Sequence, residues 1–161
     1  MDKISTHLWF DGNAQQAADF YTGLFPDSHI VTITHAPSDY PSGKAGDVLQ
    51  IAFTLGGRSF LALNGGPSFP FTEAISLSID CKDQNEVDHY WEALSAHPDY
   101  EQCGWVKDRF GLSWQIIPRV LPELLADPDR AKAKRVMNAM MDMKKINIAA
   151  LQAAAKADSA S

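Results

Sequence analysis

The sequence predicts an α+β protein built from two βαβββ repeats, with helices added at the C-terminus. Two amphipathic helical patterns, at 13–25 and 82–95, match in register, because a shift of 70 residues places Ala17 on Val87 and Tyr21 on Trp91. Each helix lies among segments that alternate apolar and polar residues, as half-buried strands do. Such self-similarity is typical of a fold made from two copies of one supersecondary unit.

The first repeat, residues 3–64, reads as a strand, a helix and three further strands. Its strand-like segments are 4–10, 28–35, 47–55 and 58–64. Gly56-Gly57 between the last two is a two-residue hairpin signal. We expect the side chain of Asn13 to cap the helix, which Pro26 ends.

The second repeat, residues 73–118, begins again with a strand and a helix, and a helical extension at 120–157 follows it. The strand-like segments of this repeat are 73–81, 100–107 and 112–118. The extension carries an apolar stripe of Met137, Met140, Met141, Met143, Ile146, Ile148 and Leu151. This stripe predicts packing over the domain or against a second subunit. We treat the chain, 1–161, as a single domain.

Charge and composition exclude several classes of protein. The net charge of -6 argues against a nucleic-acid binder, which needs a basic face. No segment reaches the roughly 18 apolar residues that a membrane span needs, and the first residues do not resemble a signal peptide. Cys81 and Cys103 form no CxxC pair, so we expect two free, buried thiols in a cytoplasmic protein.

Three motifs carry a family resemblance. They are LWFDGNAQQAADFYTGLFPDS, DQNEVDHYWEALS and CGWVKDRFGLSWQIIP. Together they resemble the PhnB-like subgroup of the vicinal oxygen chelate (glyoxalase and bleomycin-resistance) superfamily, over about residues 3–143. The resemblance implies curved mixed sheets around a cavity, and a homodimer. Members of the subgroup often carry the label 3-demethylubiquinone-9 3-methyltransferase.

The sequence gives no support for methyl transfer. Transfer from S-adenosylmethionine usually relies on a glycine-rich loop between a strand and a helix. The glycine pairs here, 56–57 and 65–66, connect strand to strand or lead into prolines. We therefore expect no cofactor.

The superfamily's metal site can be tested against this sequence. The resemblance places its ligands on the first and last strands of each repeat, at Thr6, Leu61, Ser76 and Gln115. None of these is an imidazole or a carboxylate, the donors that Zn, Fe or Mn prefer, so we expect no metal. A bulge in the first strand would turn His7 inward, and His7 with Gln115 is the fallback site. Without a bulge, Thr6 points inward and His7 outward.

A cavity lined by aromatic and polar groups is predicted instead. The candidate ligand-binding residues are Thr6, Trp9, Phe53, Ser76, Ser78, Trp105, Trp114 and Gln115. These residue types suit a pocket for a small planar or amphipathic molecule, although core packing also explains most of the aromatics. Three hypotheses follow: a metal-free protein that binds or sequesters a small molecule; an enzyme that uses His7 and Gln115; and a protein whose filled cavity leaves only an interaction role.

Overall fold

A computed structural model describes residues 3–157 of the chain, which divide into two compact units between Phe71 and Thr72. The strands are β1 (Thr6–Phe10), β2 (His29–His35), β3 (Val48–Leu55), β4 (Arg58–Asn64), β5 (Ser76–Cys81), β6 (Trp105–Lys107) and β7 (Ser113–Pro118). The helices are α1 (Ala14–Leu24), α2 (Gln84–Leu94), α3 (Val120–Leu125), α4 (Arg130–Met141) and α5 (Ile148–Lys156). No helix in the described range is long and apolar enough to cross a lipid bilayer.

The first unit is a four-stranded mixed sheet with α1 on one face. Its strand order is β1-β4-β3-β2, with β1 parallel to β4 and the other neighbours antiparallel. The predicted hairpin turn joins β3 to β4, and both Gly56 and Gly57 have positive φ there, which glycine adopts without strain. The face towards α1 is apolar and buried, with Leu8, Phe10 and Ile51 among its side chains.

The N-terminus of α1 is capped by a residue other than the predicted one. Asn13 occupies the N-cap position, but its side chain accepts no capping hydrogen bond. The carbonyl oxygen of the Asn64 side chain, at the end of β4, accepts from Ala14 N at 2.9 Å. The amide nitrogen of Asn64 donates to Val48 O at 2.9 Å. The end of β4 is therefore tied to the start of α1, because parallel pairing brings the ends of β1 and β4 to the same edge.

The second unit has a three-stranded mixed sheet in the order β5-β7-β6, with β5 parallel to β7. The predicted α+β class is confirmed, and both sheets are open. The predicted strand 100–107 shortens to the three residues of β6. Pro98–Tyr100 form a 3-10 turn, and Cys103 and Gly104 have positive φ, which interrupts an extended strand.

A buried carboxylate organises the turn between β6 and β7. The Oδ1 atom of Asp108 accepts from Phe110 N at 2.8 Å and from Leu112 N at 3.0 Å. Its Oδ2 atom accepts from the indole nitrogen of Trp114 at 2.8 Å. The side chain is almost completely buried. Asp108 is thus a structural residue of the turn, in line with the turn motif in the sequence.

The C-terminal helices form a hydrophobic cluster of their own. Its buried members are Leu121, Val136, Ile146, Leu151 and Ala155. Met140 and Met143 pack against this cluster, whereas Met137 and Met141 are 50% and 53% exposed. The predicted apolar stripe is therefore partly buried within the unit.

Backbone contacts tie this extension to the second repeat. Cys103 N donates to Met143 O, and Gly104 N donates to Lys144 O, both at 2.8 Å. The side chain of Gln84 donates to Ile146 O at 3.0 Å. These bonds satisfy backbone groups of the β6 turn and of the chain before α5, so the extension is integral to the unit.

The two free thiols are expected to differ in reactivity. Cys81 is fully buried, whereas Cys103, predicted to be buried, is half-buried because it lies in a turn. Burial, together with the negative charges of Glu86, Asp80 and Asp83, raises the pKa of Cys81 to about 12. Since the thiolate is the reactive form, we expect one thiol to react with Ellman's reagent at pH 8 in the native protein, and two in urea. Rapid reaction of both thiols with the reagent in the native protein would contradict the burial of Cys81.

The same shift predicts how the stability depends on pH. A thiol whose folded pKa is above its ordinary value of 9.0 favours the folded state while it stays protonated. This contribution is complete below about pH 9 and is lost as the pH rises towards 12. The free energy of unfolding, measured with urea, should therefore decrease from pH 8 to pH 11. This decrease should be smaller in Cys81→Ala than in the parent protein.

Candidate functional site

The predicted site residues of the first unit lie on two faces of the sheet. Thr6 pairs with Phe60, and His7 pairs with Leu61. Leu8 is buried on the α1 face, so alternation places Thr6 on that face and turns His7 and Trp9 to the other. The sequence predicted Thr6 on the cavity face of this strand. In the structure Thr6 shares the α1 face with Leu8, whose burial sets the orientation of the strand.

Phe53 also lies on the α1 face. It is the register partner of both Ile30 and Phe60, and its ring stacks on Phe60 with centroids 5.6 Å apart. Its side chain is almost completely buried in the first unit. Phe53 is therefore a core residue, and Trp9 is the predicted aromatic of this unit that lies on the face away from α1.

Four of the predicted residues of the second unit come together on one face of its sheet. The Gln115 amide nitrogen donates to Ser76 Oγ at 2.9 Å, and Gln115 is the register partner of both Ser78 and Trp105. Trp114 lies on the opposite face, where it is buried and bonded to Asp108. The structure therefore separates Trp114 from this polar group.

The residues of neither unit fit the superfamily's metal. In the first unit, His7 is opposite Leu61, which offers no donor. In the second, the side chains are hydroxyls and an amide that already donates to Ser76. Within residues 3–157, no three His, Cys, Asp or Glu side chains form a group that could hold a metal ion. The fallback residues, His7 and Gln115, lie in different units.

A cavity of about 330 Å³ opens beside Trp9 in the first unit. We call it the Trp9 cavity. Leu49, Leu63 and Phe69 contribute to its apolar lining, and Tyr40 lines it as well. Leu63 is the register partner of Trp9 on the face away from α1. A concave apolar surface with few polar groups is the usual form of a small-molecule site.

The indole of Trp9 is held in place by its surroundings. Its ring nitrogen donates to Gly66 O at 2.8 Å. Phe69 meets it edge-on, with ring centroids 4.9 Å apart. A Cβ atom on Gly65 would stand 2.3 Å from the ring, so only glycine leaves room for the indole. The aromatic wall of the cavity is therefore formed in advance.

A second cavity of about 320 Å³, the Asp11 cavity, adjoins the first. Its polar lining includes Asp11, Gln15 and Asp47. The two cavities share Tyr40, Ser42 and Asn64. They meet where the parallel strands β1 and β4 end, and carboxyl ends of parallel strands are frequent ligand sites. The sequence did not reveal this site, because its lining comes from loops that meet only in the folded unit.

Comparison with known proteins places the chain in a family. The family model for 3-demethylubiquinone-9 3-methyltransferase matches residues 2–117. The chain belongs to this family. A PhnB protein from Bacillus cereus that carries the methyltransferase name is 35% identical, with 73% of this chain and 99% of that chain covered and a TM-score of 0.61. The predicted PhnB-like resemblance is therefore confirmed.

A protein from Pseudomonas aeruginosa shares the fold of this PhnB-like chain. It is 19% identical, with 73% of this chain and 98% of that chain covered and a TM-score of 0.56. Comparison with curated proteins gives no match. The family match ends at residue 117, so the three C-terminal helices lie beyond it.

The chemistry in the family name does not fit the residues of this PhnB-like protein. Gly56 and Gly57 form a β-hairpin, and Gly65 and Gly66 follow the end of β4. The connection from β1 to α1 contains a single glycine, Gly12, and that from β5 to α2 contains none. Within residues 3–157, neither unit therefore offers the glycine-rich strand-to-helix turn that holds a nucleotide-like cofactor.

Proposed function

We propose that this PhnB-like protein binds a small molecule in the Trp9 cavity without the help of a metal. The observation that carries the proposal is the preformed aromatic wall, in which Trp9 is fixed by Gly65 and Gly66. A side chain that is already ordered loses little conformational entropy when a ligand arrives. The alternative of an enzyme that uses His7 with Gln115 has no comparable support.

The size and lining of the cavity favour a compact ring system. Its volume of about 330 Å³ lies at the low end of the roughly 300–1,000 Å³ range of ligand sites. Trp9 and Phe69 offer ring surfaces, and Leu49 and Leu63 offer aliphatic ones. Aromatic pairs contribute about 0.5–1.5 kcal/mol beyond burial of area. An aromatic metabolite of one or two rings would use these contacts best.

We also propose that the protein acts in the cytoplasm as a homodimer. The support is two unpaired thiols and several exposed apolar side chains, including Val31 and Met141. Light scattering coupled to size-exclusion chromatography tests the dimer, and a mass of one chain at all concentrations would contradict it.

Gly65→Ala should abolish binding, because the added methyl group collides with the Trp9 ring. We expect compounds from an aromatic-metabolite panel that raise the Tm of the parent protein to fail with this variant. Gly23→Ala is the matched control, since its Cβ meets no atom within 4 Å. It should keep binding and, as a helical glycine, gain up to about 1 kcal/mol of stability. Equal binding by the parent protein and Gly65→Ala, both folded by circular dichroism, would contradict the proposal.

Metal analysis tests the other part of the proposal. Protein purified without chelator should contain less than stoichiometric Zn, Mn, Fe or Ni. Stoichiometric metal that is lost on His7→Ala would contradict a metal-free site and favour the enzyme.

A further inference from the structure

The Asp11 cavity gives the ligand of the proposed function a second point of attachment. The Trp9 cavity and the Asp11 cavity share Tyr40, Ser42 and Asn64, so a molecule seated against Trp9 can extend past Tyr40. The lining changes along this path from rings and aliphatic groups to Gln15 and two carboxylates. Such a lining suits an amphipathic molecule, with an apolar body and a polar head.

The charges of the Asp11 cavity select the head group. Asp11 and Asp47 line it, and no Lys, Arg or His lines either cavity within the described part of the chain. The nearby Lys44 points its ammonium group at Asp39, at 3.4 Å, and only its backbone nitrogen donates to Asp47. Neither cavity carboxylate is in an ion pair among residues 3–157. A cation is therefore the complementary partner.

The helix end beside the cavity does not reverse this preference. The N-terminus of α1 carries partial positive charge, which would favour an anion. The backbone amide of Ala14, which has no acceptor within the helix, donates to the side chain of Asn64 at 2.9 Å. The ring of Tyr40, which lines both cavities, adds a face that attracts cations. Two full negative charges on Asp11 and Asp47 outweigh the remaining partial charge.

We propose that the ligand is an amphipathic cation, with an aromatic or apolar body against Trp9 and an amine-type head near Asp11 and Asp47. This inference rests on the proposed binding function and specifies its ligand class. The carboxylates would hold the ammonium group by charge-assisted hydrogen bonds, and the Trp9 cavity would bury the ring.

Three indoles that differ only in the substituent at position 3 of the ring test the inference. Isothermal titration calorimetry compares tryptamine, a cation, with neutral 3-methylindole and with anionic indole-3-acetate. We expect tryptamine to bind about tenfold or more tightly than 3-methylindole, and indole-3-acetate to bind most weakly. Of the compounds that bind, only tryptamine should bind more weakly when salt is added.

Variants locate the preference. In the Asp11→Asn/Asp47→Asn protein, tryptamine should bind no more tightly than 3-methylindole. Asp39→Asn removes an exposed carboxylate of the same unit that lines neither cavity, and it should leave the preference unchanged. Gly65→Ala should abolish the binding of both compounds, because it displaces the ring site.

The outcomes separate the two proposals. Equal binding of tryptamine and 3-methylindole, or tighter binding of indole-3-acetate, would overturn the inference and leave the binding function standing. The inference would also be overturned if the Asp11→Asn/Asp47→Asn protein still preferred tryptamine to 3-methylindole. Failure of all three indoles and of the aromatic panel would overturn both proposals.

Discussion

Replacing Asp108 with alanine is expected to lower the free energy of unfolding by about 3–5 kcal/mol, because three donors at a buried position lose their acceptor. The carboxylate accepts hydrogen bonds from two backbone amides and from the indole of Trp114. Alanine would leave these donors without their acceptor at a buried position, where each lost partner costs about 1–3 kcal/mol. Urea unfolding followed by circular dichroism and tryptophan fluorescence measures the loss.

Two further variants show whether the hydrogen bonds are responsible. Trp114→Phe keeps a ring in the core but removes the indole donor, so we expect a smaller loss of about 1–3 kcal/mol. Asp142→Ala removes an exposed carboxylate at the end of α4 and should change stability by less than about 0.5 kcal/mol. A loss for Asp108→Ala no larger than that for Asp142→Ala would show that the turn does not depend on the carboxylate.

Local pattern was enough to predict most of the elements. β4 matches its predicted range, and α1 and α2 differ from theirs by one or two residues at each end. The reason is that helical and strand periodicities are properties of short windows, and Pro26 and Gly56-Gly57 punctuate them. The predicted strand 100–107 failed because positive φ at Cys103 depends on amide bonds to the distant Met143 and Lys144.

The orientation of the first strand needed tertiary information. Thr6 and His7 are neighbours, and a one-residue error exchanges the two faces of a strand. The decisive fact, burial of Leu8 and Phe10 under α1, is apparent only from the folded unit. Leu8 and Phe10 are on the same side as Thr6, but Trp9 between them is also apolar, so alternation alone does not choose between the two faces.

The sequence predicted only one of the residues on which the candidate site is built. Trp9 was among the expected cavity residues, whereas Asp11, Tyr40 and Asp47 lie in loops that carry no periodicity. They meet because β1 and β4 are parallel and end at one edge, a pairing that the sequence does not encode locally. One usable signal was present, since Gly65 directly after a strand is typical of close approach by a side chain or backbone.

Leu151→Ala is the second substitution with a large expected effect, a loss of about 2–5 kcal/mol in the free energy of unfolding. Leu151 is fully buried in the C-terminal cluster with Val136 and Ile146, so the shorter side chain leaves a cavity as well as losing burial. The extension lies beyond the family match, and this variant measures how far the fold depends on it.

The neighbouring residue provides the control for that measurement. Gln152→Ala lies on the exposed face of α5 and should change stability by less than about 0.5 kcal/mol. Because Cys103 N and Gly104 N bond to Met143 O and Lys144 O, loosening the extension should also expose the β6 turn. We therefore expect faster amide exchange at Gly104 in Leu151→Ala and unchanged exchange in Gln152→Ala. Equal stability of the two variants would mean that the helices after residue 118 are an appendage, and that the matched region folds without them.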